Sequence, residues 1–243
     1  MQAICLWSGP RNVSTALMYS FAQRNDTRVV DEPLYGHYLK ASGAAHPGRD
    51  DVIAAMNCDG VAVMQSLLHP SREPDRPVLF MKHMAHHLVD IERSFLHETQ
   101  NILLIRDPRE MLPSLATLLP HPALRDTGLA VQSALYSELA GQAREPLVID
   151  SRELLLDPER VLTALCRQLE LGFDRRMLTW PRGGIPEDGV WAKHWYHAVH
   201  NSTGFSRHVP KRNFPPRLLG LLGECSPHYE QLFRHAIRAS NGD

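Results

Sequence analysis

Short runs of β-forming apolar residues alternate with longer stretches of helical period along this chain, and that alternation restricts the fold more than any other feature. Strands are predicted at Ala3–Trp7, Arg28–Asp31, Val78–Lys82, Asn101–Ile105 and Pro146–Ile149. Helical spacing is predicted over Ser14–Arg24, Asp51–Met56, Val61–Leu68, His86–Phe95, Arg109–Leu118, Thr127–Ala143, Pro158–Leu169 and Pro227–Ala239. Strands alternating with helices imply βαβ crossovers, and hence a mainly parallel central sheet flanked by helices on both faces, an α/β three-layer fold. The 243 residues, 43% of them hydrophobic, are enough to bury one full core, so a single domain over residues 1–243 is expected. Ligands of such sheets lie beyond the carboxyl ends of the strands. The residues just after each strand are therefore the ones to read for chemistry.

Charge and cysteine usage exclude several classes. A formal net charge of -1 argues against a general nucleic-acid or membrane-surface binder, which needs a basic excess. The four cysteines lie far apart with no C-x-x-C pair, suggesting neither a zinc knuckle nor a disulfide framework, and a reduced, cytoplasmic compartment is expected. The opening MQAICLWSG has no cationic leader, and no run of about 18 apolar residues occurs. An unprocessed, soluble protein is the expectation.

Two loops carry the chemistry. After the first strand comes SGPRNVST, in which Gly9 and Pro10 can turn tightly and the helix opening at Ser14 would present its free amides and positive dipole end to an anion. Arg11, Ser14 and Thr15 converge on the same place; the plainer alternative is Ser14 as an ordinary N-cap. Ser14 and Thr15 stand where a Walker A loop has its second Gly and its Lys, which disfavours an ordinary ATP or GTP hydrolase. After the fourth strand, Arg106 directly follows NILLI and Ser114 lies eight positions on. Such an arginine can clamp a phosphate through two parallel hydrogen bonds, or simply pair with Asp107 or Glu110.

The two loops together, P-[KR]-x-x-[ST]-T at Pro10–Thr15 and then a strand-end Arg106 with Ser114, resemble the paired signatures of the sulfotransferases. The stretch PLVIDSRELLLDPERVLTALCRQLEL is similar to a third element of that family, and the resemblance runs from about Ile4 to Leu171. It implies a P-loop-type fold and a donor, 3′-phosphoadenylyl sulfate, whose sulfuryl group passes in line to a hydroxyl or amine of a small-molecule acceptor. It further implies that adenosine 3′,5′-bisphosphate is the product and that no metal is needed, while the charge balance already argues for no nucleic-acid and no membrane partner. Arg11 occupies the position of the family's loop lysine and would meet the bridging oxygen. Ser14 and Thr15, with the backbone of Asn12 and Val13, would hold the 5′-phosphate, and Arg106 with Ser114 the 3′-phosphate. Ala16 stands where many relatives place a tryptophan that stacks on adenine.

Glu32, immediately after the second strand, ranks first as general base, since some bacterial relatives resemble this arrangement. A cap or ion-pair role before Pro33 is its alternative. Lys82 resembles the lysine of a K-x-H motif, but Met84 fills the histidine's place, leaving His83 as the second-ranked base and His86 as a further substitute. Further on, VWAKHWYHAVHNSTGF reads as a helix whose tryptophans are core or an acceptor wall, with histidines that are solvated in preference to metal-bound. The loop STGFSRHVPKRNFPP offers Arg207, Lys211 and Arg212 as a basic lid, and KASGAAHPGRDD reads as a surface loop near the site mouth. Two rivals remain: a P-loop-type phosphotransferase using ATP, and a non-catalytic adenosine bisphosphate-binding protein. The acceptor is encoded in no short motif, because acceptor pockets are built from variable loops.

Overall fold

Six parallel strands in the order β2-β3-β1-β4-β5-β6 form the centre of the protein. The structure, a computed structural model, describes residues 1–72, 75–141, 145–210 and 213–240. The strands are β1 (Gln2–Ser8), β2 (Thr27–Asp31), β3 (Val78–Met84), β4 (Gln100–Ile105), β5 (Leu147–Asp150) and β6 (Ala236–Ile237). Helices α1 (Ser14–Ala22), α2 (Tyr35–Ser42), α3 (Arg49–Ala55) and α4 (Gly60–Leu68) lie between β1 and β3. The short α5 (Phe95–Glu98) leads into β4, and α6 (Pro108–Leu115), α7 (Leu124–Thr127) and α8 (Leu129–Leu139) follow it. After β5 come α9 (Ser151–Leu156), α10 (Pro158–Gln168), α11 (Ala192–Trp195), α12 (His197–His200) and α13 (Leu219–Phe233).

Continuous apolar runs form these strands because both faces of the sheet are covered. Side chains alternate between the faces. Ile4, Leu6, Phe80, Ile102 and Leu104 pack with residues of α1 and α10, whereas Cys5, Trp7, Leu79, Met81 and Leu103 pack with residues of α4 and α8. Lys82 pairs in register with Leu6 and His83 with Trp7. The two neighbours therefore enter opposite layers.

Several expected elements differ. No single helix covers residues 86–95: a 3₁₀ turn at Ala85–His87 gives way to irregular chain, and Asp90 at φ 45° takes a left-handed conformation that a continuing helix forbids. Helix α2 was unexpected within a tract read partly as loop, and it stops at Gly43, which supplies a left-handed φ of 67°. Helix α8 starts only at Leu129, after Gly128 at φ 75°, and Ala143 of the expected helix lies outside the described residues. The final helix begins at Leu219, carries Pro227 in its interior and ends at Phe233, so that Ala236–Ile237 can pair with β5. Trp191–His200 holds two short helices in place of one.

Candidate active site

Strand β1 delivers the chain at Ser8 to a tight turn under the start of α1. Gly9 is required there: a Cβ on it would lie 2.3 Å from the Thr127 carbonyl oxygen. Arg11 adopts φ 59°, a strained conformation for a residue with a side chain, and the Asn12 side chain ties the turn to β4 by donating to the Leu104 carbonyl at 2.7 Å. Val13 is the cap residue and makes no side-chain cap bond, so Ser14 is not the N-cap but the first residue of the helix. The first helical bond runs from the Leu17 amide to the Val13 carbonyl. The amides of Ser14, Thr15 and Ala16 precede it and have no partner within the helix, which leaves them free to face an anion. Gly9→Ala is expected to cost about 1–3 kcal/mol of stability through overpacking. A thermal melt coincident with that of the wild type would contradict the close approach to Thr127.

The end of β4 meets this turn. One Arg106 Nη donates to the Arg11 carbonyl at 2.7 Å, and the other approaches a Glu110 carboxylate oxygen at 3.4 Å, while the buried Nε has no partner. Arg11 Nε donates to Ser114 Oγ at 2.8 Å. Burial first, and then the Arg106 cation, pull the Arg11 guanidinium below its ordinary pKa. Two guanidiniums and a hydroxyl thus converge beside a helix N-terminus, an arrangement that an added anion relieves. The Glu110 pair foreseen as the plainer role of Arg106 is also present, and His208 shares that carboxylate at 2.7 Å. Asp107 instead caps α6 by accepting from the Arg109 amide.

On the other side of β1, past β3, lies a buried ionic cluster. Lys82, 1% exposed, donates to Asp31 Oδ1 at 3.1 Å, to Tyr196 Oη at 2.7 Å and to Glu32 Oε1. The Tyr196 hydroxyl accepts from Trp191 Nε1 at 3.1 Å and lies 2.8 Å from Asp31 Oδ2, to which it donates. Asp31 also accepts from the Gly189 amide at 3.3 Å. An ammonium has three donors, and here each has a partner. Among these groups Glu32 Oε2 stands apart: its nearest recorded partner is His87 Nε2 at 4.0 Å, beyond hydrogen-bonding distance. Burial first, and Asp31 with it, push the Glu32 carboxyl up against the opposing pull of Lys82. Burial lowers Lys82, but Asp31 and Glu32 outweigh it and leave the ammonium well above its ordinary value.

The comparisons with known proteins bear on these edges. The family model of a sulfotransferase domain matches residues 1–230. The chain belongs to the sulfotransferase family. Two Arabidopsis thaliana proteins, branched-chain-amino-acid aminotransferase-like protein 1 and protein 2, are 42% identical over 244 residues and 40% over 246. Each match covers 99% of this chain and 43% of the relative, so the chain spans less than half the length of the curated relatives it matches. A solved sulfotransferase from Alicyclobacillus acidocaldarius shares the fold at a TM-score of 0.56 and 14% identity, over 96% of this chain and 95% of that one. The sulfotransferase domain from the curacin biosynthetic pathway does so at a TM-score of 0.51 and 16% identity, over 93% and 97%.

In this sulfotransferase the sheet brings Pro10–Thr15, Arg106 and Ser114 to one edge, and Glu32 with Lys82 to the neighbouring strand ends. It does not bring His83 there. That ring stacks on Trp7 at 4.2 Å with both nitrogens buried and unpartnered, and burial, aided by Lys82, drives its pKa to about 3. The histidine facing Glu32 is His87, stacked on Tyr35 and Tyr38 at 4.9 and 4.6 Å and held well below its ordinary pKa, first by burial. Asp31 and Tyr196, which join this cluster, were not singled out by the sequence reading, and Trp191 was weighed there only as core or acceptor wall. One signal was available: a lysine inside the apolar run VLFMKHM is affordable only with buried carboxylates, and Asp31-Glu32 end the neighbouring strand. Lys211 and Arg212 lie outside the described residues. Among the described residues no group of His, Cys, Asp and Glu side chains is arranged to hold a metal ion, and no helix is long and apolar enough to cross a membrane.

Proposed function

We propose that this sulfotransferase, acting as one domain, moves the sulfuryl group of 3′-phosphoadenylyl sulfate in line to a hydroxyl or amine of a small-molecule acceptor. The observation that carries this reading is the meeting of Arg11, Arg106 and Ser114 beside the free amides of α1. One phosphate fits the helix N-terminus with Ser14 and Thr15, and a second fits Arg106 and Ser114. A nucleotide bearing both 5′- and 3′-phosphates matches that pair, and ATP does not. Glu32 directly follows β2, two strand spacings from β1, which is about 10 Å and within the span of the transferred group plus an acceptor.

In the proposed step a bond forms between the acceptor oxygen or nitrogen and sulfur as the bond from sulfur to the bridging oxygen breaks. The bonding pair stays on the departing phosphate, where Arg11 stabilises it, and the acceptor proton passes to Glu32 Oε2. Lys82 places one positive charge between the two carboxylates of Asp31 and Glu32, so the cluster keeps a net negative charge with which Glu32 takes that proton. Catalysis then consists of positioning and of donors aimed at the oxygen that gains charge.

The test is incubation with 3′-phosphoadenylyl sulfate, following release of adenosine 3′,5′-bisphosphate as the sulfuryl group passes to water or to simple phenols and amines. No turnover by protein that binds the bisphosphate would count against it. Arg106→Ala is expected to weaken adenosine 3′,5′-bisphosphate by about 1.5–3 kcal/mol while AMP affinity stays near that of the wild type, the usual worth of charge-assisted bonds. Equal losses for both nucleotides would remove Arg106 from the 3′-phosphate.

A further inference from the structure

Between α10 and α13 runs a segment that the donor-site signatures do not reach, and it closes the base cluster. Asp188 anchors it to α1, accepting from Tyr19 Oη at 2.7 Å and lying 2.9 Å from His200 Nε2. The next residue, Gly189, gives its amide to Asp31, and Tyr196 places its hydroxyl among Asp31, Glu32 and Lys82. The same segment is thus tied to the helix proposed to hold the donor and to the carboxylates proposed to receive the proton.

The bonding capacity of a phenol explains what Tyr196 does there. Its oxygen has two lone pairs and one proton. Lys82 and Trp191 donate to the lone pairs, so the proton is directed to the carboxylates, with Asp31 at 2.8–2.9 Å and Glu32 at 3.4 Å. Held in this way, Lys82 is shared between Asp31 and Glu32 and not surrendered to either. We infer that Tyr196 is a positioning residue of the transfer reaction, its hydroxyl fixing Lys82 and Asp31 so that Glu32 keeps one oxygen free for the acceptor. This rests on Glu32 being the base.

The groups facing Glu32 come from every element around it: Asp31 from β2, Lys82 from β3, His87 from the turn after β3, Tyr35 from α2, and Tyr196. Burial, foremost, keeps His87 neutral and both tyrosines protonated, so Lys82 is the positive charge that Glu32 feels. Tyr196→Phe keeps the ring and deletes the hydroxyl. Asp31, left without that donor, turns more fully to Lys82, and Glu32 loses both its 3.4 Å neighbour and part of the ammonium's pull. The carboxyl then holds its proton to higher pH.

The experiment is a carbon-13 NMR titration of protein labelled at the glutamate side-chain carboxyl, with the Glu32 resonance identified by its absence in Glu32→Gln. In Tyr196→Phe its midpoint is expected to move up by about one pH unit, the scale of one lost partner. Trp191→Phe, which removes the indole donor to the same hydroxyl and keeps an aromatic ring in the core, should move it the same way by less, and it serves if the tyrosine variant does not fold. An unmoved midpoint in a folded variant overturns the inference. Adenosine bisphosphate release from the donor is followed in parallel. Normal release by Glu32→Gln would sink the assignment of the base, and with it a positioning role for Tyr196. A shifted midpoint with slowed release in Tyr196→Phe, and with bisphosphate affinity kept, supports both.

Discussion

Glu32→Gln should keep wild-type affinity for adenosine 3′,5′-bisphosphate and lose about 10²–10⁴-fold in turnover, the range for removal of a general base. The amide is isosteric and can still accept from Lys82, so the cluster has no reason to collapse. It cannot take a proton. The choice of this carboxylate over its neighbour follows from the bonding pattern: Asp31 is occupied by Lys82, Tyr196 and the Gly189 amide, while Glu32 keeps Oε2 free of any hydrogen bond short enough to hold it. Because burial raises the Glu32 carboxyl, it protonates at a higher pH than an exposed glutamate. Turnover should therefore fall as the pH drops through that raised value, and this acidic limb should be absent from the residual activity of the variant. His83→Asn, by contrast, touches a ring stacked on Trp7 in the opposite layer, and should leave turnover within a few-fold of the wild type. A fully active Glu32→Gln beside a dead His83→Asn would reverse the assignment.

Arg11→Ala is expected to lower turnover by about 10²–10³-fold, with a smaller effect on donor affinity. The backbone of Arg11 belongs to the turn before α1, where it accepts from Arg106, and its side chain reaches Ser114 on α6. It thus spans the two proposed phosphate sites, and its cation is already pressed by burial and by Arg106. Charge that appears on the bridging oxygen only as the bond breaks is the charge this group is suited to meet. Single-turnover kinetics with saturating donor separates the possibilities. A loss confined to donor affinity would make Arg11 a binding residue alone. Arg11→Lys, which restores the charge without the fork, should recover part of the rate.

The parallel sheet was readable because each core strand is a continuous apolar run ended by a polar residue, as β3 is at Lys82-His83 and β4 at Arg106. The edge proposed for the donor could be named from the sequence because its groups lie within two short stretches, Gly9–Thr15 and Arg106–Ser114, whose pattern resembles the family's. What stayed hidden was non-local or too short to show a period. Strand β6 has two residues and exists only because β5 offers an edge. Helix α2 carries Gly36 and polar residues in eight positions, so its apolar stripe is thin. Tyr196 lies 114 positions from Lys82, and nothing near it in sequence announces a charged partner. Alternation along β3 could have ruled out His83 as a companion of Lys82, since adjacent strand residues cannot share a face. His87 becomes the neighbour of Glu32 only because the chain after β3 turns as a 3₁₀ segment in place of the expected helix.

Calorimetric titration of the protein with adenosine 3′,5′-bisphosphate, ADP and AMP under one buffer condition tests most directly whether the paired phosphate sites are what they are taken to be. The bisphosphate should bind about 10–100-fold more tightly than AMP or ADP, the equivalent of one well-held 3′-phosphate. Equal affinity for the three nucleotides, or preference for ADP, would contradict a site built from Arg106 and Ser114 for the 3′-phosphate of a sulfuryl donor.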